Sequence, residues 1–513
     1  MPRPSRMDRP KKRPVRLQIT NQFGQRQSLD NALEQYLTIP GAKGVLLLGL
    51  GPSPAALAAA VGGQSPVDYL ESPDFARQMP TSWLQEIPAH WRKISTEDLR
   101  EPELLQRKAL FYRPNLRLFP DFWTPVLAAK SLGTLPASQV ADEKTLWMPA
   151  PQKRLLVNEL SGAFAKAGMH VHALPQDLPP TVFLKQLQAH RPDFFFCINF
   201  QGLDPFGQNF AALNHLEVPV AVWCVDNPFH LLSALKSTFW QQCMLFVTDD
   251  WFINPLLSHG ARRVCHLPLA TDPDHFQPHK AFHDDELAQK IVFVGRSSFP
   301  DKNNFFAGCR LSRDNMAQAA EMMAQGLRPD FAWWRLRYEQ TPLWPAQSVR
   351  QIGFAAEQCN LAWRTAHLAA AAEMGLTVFG DPDWRERLPA NVELRPPVDY
   401  YGPLGDIYSQ ARFTLNLTSL LLPHGLTQRH FDVWAAGGFL LTDNTPGLRI
   451  FDQELVHEIA FAKPEEFRPL VQRLDADPIS AAELRQAWQK HILAKHTYDH
   501  RVSTLLDALD LKP

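Results

Sequence analysis

Between Tyr400 and Asp443 the chain gathers residue types suited to holding a phosphate ester: Thr427, Arg429, Asp432 one turn further on, and the pair Gly437 and Gly438. Thr427 is placed to cap a helix N-terminus, where unpaired N–H groups and the helix dipole favour an anion. Arg429 can fork onto two phosphate oxygens, and the glycines let backbone approach closely. His424 precedes them in a polar loop. Upstream, VGRSSFPDKN sets Gly295, Arg296 and Lys302 just beyond a run of apolar residues. Fixed cations in a dry cleft stabilise developing negative charge without a metal. Asp226 closes another apolar run, in WCVDNPF. It admits two readings: a base for a hydroxyl proton if burial raises its pKa, or the cap of a helix beginning near residue 228. Asp249 and Asp250 carry the same ambiguity. For Arg429 the plain alternative is a surface arginine on a helix docked against a sheet.

The elements that position these residues follow from periodicity. Residues 400–443 predict a helix over 405–411, a buried strand over 413–417, a polar loop, a helix over 427–436 and a strand over 439–442, which is a βαβ unit. The loop leaving such a strand sits at the carboxyl edge of its sheet. The module opens with a strand over 291–295 and continues with a helix over 360–374 and a strand over 376–380. Helices near 464–474 and 480–496 close it. An earlier module, 143–283, shows strands at 145–148, 170–174, 193–200, 218–226, 243–249 and 262–269, with a helix over 154–167. These are continuous apolar runs rather than alternating ones, so a parallel sheet covered on both faces is expected. In front, 17–134 forms its own module: a strand over 45–48, the turn Gly49-Leu50-Gly51, a helix from 53 or 54, and a second strand ending at Glu71.

At 513 residues, a prior of roughly 100–200 residues per domain gives about three domains. A net charge of −1 argues against nucleic-acid binding through bulk charge. No apolar run reaches the ~18 residues of a membrane helix. The six cysteines show no CxxC or CxxH spacing and read as reduced core thiols. The basic, proline-rich residues 1–16 read as a disordered tail, with weak peripheral contact to anionic lipid as the sharper alternative.

The stretch 400–443 resembles the nucleotide-sugar half of GT-B glycosyltransferases, and most closely the CgeB-like (spore-maturation-protein) group. VGRSSFPDKN is similar to the G-R-x-x-x-x-K phrase of GT-B donor domains. LPLATDPDHFQP, at 267–278, is similar to the phrase P-x-G-x-D-x-x-x-F-x-P that ends their first domain, with Ala270 where glycine is usual. WCVDNPF resembles W-x-x-D-x-P in related proteins, and KHTYDHR resembles the HTY-x-x-R ending of the CgeB-like group. The turn at Gly49 looks like that of methyltransferases, with Glu71 in the ribose-holding place but no catalytic signature downstream.

The resemblance implies an α/β protein of GT-B fold, two Rossmann-like doubly wound domains facing a cleft, preceded by an extra Rossmann-like domain. The acceptor domain would span 143–283, the donor domain 286–480, and a helix over 481–513 would return to the first lobe. It implies a cytoplasmic, metal-independent glycosyltransferase with no cofactor beyond its nucleotide-sugar substrate. Gly295, Arg296, Lys302, Thr427, Arg429, Gly437 and Gly438 would hold the donor diphosphate. Asp432, in the place of the second glutamate of the E-x7-E motif, would meet the ribose. His424 stands where that motif has its first glutamate, facing the sugar or the β-phosphate, or serving only structure. Asp226 and His424 are the catalytic candidates. The acceptor, a glycan, lipid or protein, is not named by the sequence. The competing class is a catalytically silent GT-B-like scaffold.

Overall fold

The computed structural model describes residues 17–29, 32–63, 66–133, 144–151, 155–278, 286–340, 342–345 and 348–511. The tail 1–16 and most of the stretch between the first two modules lie outside them.

Six parallel strands, Thr145–Pro149, His170–Leu174, Phe194–Ile198, Val220–Cys224, Met244–Val247 and Arg263–His266, form the first lobe's sheet in the spatial order 2-1-3-4-5-6. Strands three to five are buried throughout. The edge strands are not: His170–Leu174 is largely exposed and Arg263–His266 half exposed, because a helix covers only part of an edge. The second lobe orders Ile291–Val294, Leu376–Phe379, Glu393–Arg395, Phe413–Asn416, Leu440–Asp443 and Ala460–Phe461 as 3-2-1-4-5-6, again all parallel. Strand order therefore reverses between Ile291–Val294 and Phe413–Asn416. The loops leaving these two strands diverge and open a crevice at their carboxyl ends, where ligands bind in open α/β sheets. Two doubly wound lobes about a cleft, behind an extra N-terminal sheet domain, are the GT-B arrangement.

The lobes are joined twice. Near Thr271 the chain passes from the first lobe to the second, and at Thr497 it returns alongside: Thr271 donates its N–H to the His496 carbonyl (3.0 Å), and Tyr498 donates to that of Thr271 (3.1 Å). The return is shorter than expected. Helix Pro478–Lys495 stays on the second lobe, its Trp488 stacked on Trp434 at 5.0 Å, and only Tyr498–Ala508 packs on the first lobe, against Val157–Lys166. Of the returning segment expected over 481–513, only the helix Tyr498–Ala508 returns, while Pro478–Lys495 corresponds to the helix expected over 480–496. His496 and His500 are structural: Arg501 donates to the first (2.9 Å), and the second completes a capping box with Thr497.

A helical insert in the second lobe has no counterpart in the sequence reading. Helices Arg313–Ala324 and Phe331–Arg337 precede Ser348–Ala372, which starts well before the expected residue 360. Phe331, Trp334, Trp344, Ile352 and Trp363 are buried in one hydrophobic cluster with Phe229, Leu232, Trp240 and Phe252 of the first lobe. Trp344 Nε1 donates to the Leu232 carbonyl (3.1 Å), and Leu343 N–H to His259 Nε2 (2.9 Å). Each fully buried large apolar side chain contributes about 1.5–3 kcal/mol, so this shared core holds one wall of the cleft in place.

The N-terminal module is a five-stranded sheet in which Tyr36–Ile39 runs antiparallel to Arg107–Tyr112 and the others are parallel. Its glycine turn is closed by protein. Glu71 accepts the N–H groups of Leu50 (2.7 Å) and Ser72 (2.8 Å), and Tyr36 donates to the Leu50 carbonyl (2.7 Å). Asn115 and Tyr112 pack on Gly49. Burial pushes the Glu71 carboxyl up to about 8. The acid that would hold a ribose ties the turn to its own sheet instead.

Candidate active site

A cavity of about 580 Å³ opens at the crevice of the second lobe. Gly295 and Arg296 reach it from the end of Ile291–Val294, Leu417 and Ser419 from the end of Phe413–Asn416, Thr427 from the loop that follows, and Arg429 from the first turn of the next helix, Arg429–Ala435. Helix Ser348–Ala372 adds Glu357, Asn360 and Arg364, and the first lobe closes the cavity with Asp226, Asn227, His230 and Leu231.

Three arginines define its polar end. Arg429 donates from Nε to Asn416 Oδ1 (2.7 Å) and from Nη1 to the Val294 carbonyl (2.6 Å), and so bridges the last residues of the two strands that flank the crevice. Arg364 donates to the carbonyl of Arg296 and lies between Phe293 (5.7 Å) and Trp384 (5.2 Å), with its Nε buried and unpartnered. The Arg296 side chain is exposed. Burial pulls the pKa of Arg429 down and that of Arg364 down to about 10, and each of Glu357 and Asp443 partly offsets the effect on Arg364. Two desolvated guanidiniums within electrostatic reach of one another gain when an anion arrives, because it supplies charge the protein withholds.

Arg364 was missed by the sequence reading. The available signal was a lone arginine in an otherwise apolar helical run, LAWRTAHLAA, a charge that has to be matched by something. Glu357 was missed likewise; it accepts from Asn360 Nδ2 (3.0 Å), and burial raises its carboxyl.

Several expected residues are elsewhere. Lys302 turns its Nζ to Glu357 Oε1 (3.7 Å) and does not line the cavity. Thr427 does line it but is not a helix cap: its hydroxyl donates to Asn416 Oδ1 (2.8 Å), and Gln428 is the residue before the helix. Asp432 is buried beside the inter-lobe crossing, where Tyr400 donates to its Oδ2 (3.0 Å) and burial holds the carboxyl well above its usual range. Enclosed there, Asp432 is not among the residues that line the cavity. Gly437 and Gly438 end the helix rather than meet a donor: Gly437 has φ +79° against Pro278, and a Cβ on Gly438 would strike the Tyr408 backbone.

His424 is also outside the cavity. Its N–H donates to Asp249 Oδ2 (2.9 Å), its Nδ1 meets Asp250 Oδ1 (2.8 Å), and Arg449 pairs with Asp250. This ties the two lobes together; burial pushes Asp249 up to about 6. Among the described residues, these three are a group whose ligand atoms lie within 4.8 Å of one another, close enough for a metal ion, but Arg449 already supplies positive charge to it. Asp226, by contrast, is exposed in the cavity, so the burial expected of it is not found, and it accepts from Asn199 Nδ2 (2.7 Å). It does not cap the helix Pro228–Leu232; Asn227 does, accepting from Phe229 and His230. His230 is held neutral, burial pulling it down to about 4.

Residues 362–507 match the family described as glycosyl transferase-like, a stretch that includes Arg364 and Arg429. The chain therefore carries a glycosyl transferase-like domain. No curated protein matches it. Among solved structures, Anabaena HepE in complex with UDP-glucose is 10% identical over 72% of this chain and 99% of that one, at a TM-score of 0.43. The DNA modifying enzyme β-glucosyltransferase is 11% identical over 72% and 100%, at 0.40. The α,α-trehalose 6-phosphate synthase of Burkholderia multivorans is 12% identical over 92% and 99%, at 0.35. Likenesses this distant say nothing of what the chain binds.

Proposed function

We propose that the protein is a glycosyltransferase that moves a sugar from a nucleoside-diphosphate sugar to an acceptor hydroxyl. The observation that carries this reading is the convergence of Arg296, Arg364 and Arg429 at the second lobe's crevice, in the same cavity as the carboxylate Asp226 of the first lobe. As the bond from the sugar's anomeric carbon to the β-phosphate oxygen breaks, negative charge grows on the diphosphate, and the arginines stabilise it in place of a metal. The acceptor oxygen bonds to that carbon, and its proton passes to Asp226. The match of residues 362–507 supports the donor half of this assignment. The sequence stretches 400–443 and 496–501 support placement in the CgeB-like group, and the phrase at 267–278 supports the GT-B class. No helix among the described residues is long and apolar enough to cross a membrane; a cytoplasmic site of action is part of the proposal.

Calorimetry with a panel of nucleoside diphosphates tests it. Micromolar binding of one of them, weakened in Arg429→Ala, is the expected result. Absence of binding across the panel, or full-strength binding by Arg429→Ala and Arg296→Ala alike, would refute it.

A further inference from the structure

The same cavity has a second end of different chemistry. Leu231, Phe299, Phe305, Leu421 and Leu422 line it and are all only half buried, so apolar surface is left open to the cavity. Phe299 and Phe305 meet edge to face at 6.0 Å. Leu231 belongs to the first lobe, and the Leu421–Leu422 loop is tied to that lobe by Asn227 Nδ2, which donates to the Leu421 carbonyl (3.0 Å). Leu231, Leu421 and Leu422 are therefore on the side of Asp226, while Phe299 and Phe305 come from the second lobe, beyond Arg296.

Resting on the transferase reading above, we infer that the acceptor carries an alkyl or aromatic group next to its accepting hydroxyl, and that these residues hold it. For transfer, the acceptor hydroxyl must stand between Asp226 and the sugar carbon. Whatever adjoins that hydroxyl on the first lobe's side then lies against Leu231, Leu421 and Leu422. A polyhydroxylated chain there would lose water from its hydroxyls and find few partners on these side chains, which is costly. An apolar group gains by the same burial.

The test uses methyl, butyl and hexyl β-D-glucosides, below micellar concentration, titrated into the full-length protein saturated with the nucleoside diphosphate it binds. The dissociation constant falls with chain length, by up to about fourfold per methylene, the equivalent of ~0.8 kcal/mol for a buried CH₂. Leu231→Asn and Leu422→Asn flatten that slope. A flat series in the wild-type protein overturns the inference, as does no glucoside binding, or a slope that both variants leave intact. Binding of a nucleoside diphosphate alongside a flat series overturns this inference alone. Failure to bind any nucleoside diphosphate takes the transferase reading down with it.

Discussion

Replacing Arg364 with glutamine separates a phosphate-binding arginine from one that only packs. The substitution removes a guanidinium held between Phe293 and Trp384 whose Nε has no partner in the protein. One charge-assisted hydrogen bond to phosphate contributes about 1.5–3 kcal/mol. Arg364 and Arg429 repel one another in the free and the liganded protein alike, so relief of that repulsion largely cancels from the binding constant. The loss is therefore about 1.5–3 kcal/mol, or roughly ten- to 150-fold in dissociation constant. Stability falls too, since each ring contact with a cation contributes about 0.5–1 kcal/mol. Calorimetry with a nucleoside diphosphate and with its parent nucleoside divides the two effects. The diphosphate should weaken by the stated factor while the nucleoside changes by less than about twofold, because a packing defect would not distinguish ligands by their charge. Equal weakening of both, or of neither, would refute the assignment of Arg364 to the diphosphate.

Asp226→Asn should lower transfer by about 10²–10⁴-fold, the usual contribution of a general base, read as kcat in a sugar-transfer assay; a change below tenfold would discard Asp226. His424→Ala should leave transfer within about fivefold, since His424 lies outside the cavity and its partly exposed contact with Asp250 contributes ~0.2–1 kcal/mol. A collapse of kcat with the fold intact would return His424 to the site. Glu71 is an acid raised to about 8 in the folded chain against about 4.3 unfolded. The folded state thus holds the extra proton between these values, and stability falls as pH climbs from about 4 to about 8, by ~1.4 kcal/mol per unit at most. Thermal unfolding followed across that range should show the decline in the wild-type protein and a shallower one in Glu71→Gln. Identical slopes would show that Glu71 does not carry the proton.

Legibility in the sequence followed the range of the interactions involved. The apolar runs 193–200 and 218–226 announced buried parallel strands because burial on both faces leaves no alternation to obscure them. The expected strand over 413–417 and helix over 427–436 correspond to Phe413–Asn416 and Arg429–Ala435. Gly49, Gly51 and Glu71 could be read as a Rossmann turn, but not that Tyr36 and Asn115, distant in sequence, would close it. Helices Arg313–Ala324 and Phe331–Arg337 escaped notice because they bury few residues, Ala319 in the first and Phe331 and Trp334 in the second, and both pack on the long helix Ser348–Ala372.

By itself the sequence determined the two parallel-sheet lobes, the strand end that carries Arg296, the helix that carries Arg429, and the presence of Asp226 beside a strand of the first lobe. These follow from patterns a few residues long. Only the tertiary structure decided which charges face the cavity: Arg364 comes in from a long helix, Lys302 is drawn to Glu357, Asp432 is sealed at the crossing between lobes, and His424 is taken up by Asp249 and Asp250. A side chain's electrostatic partner is fixed by distances across the fold, and no local pattern encodes them.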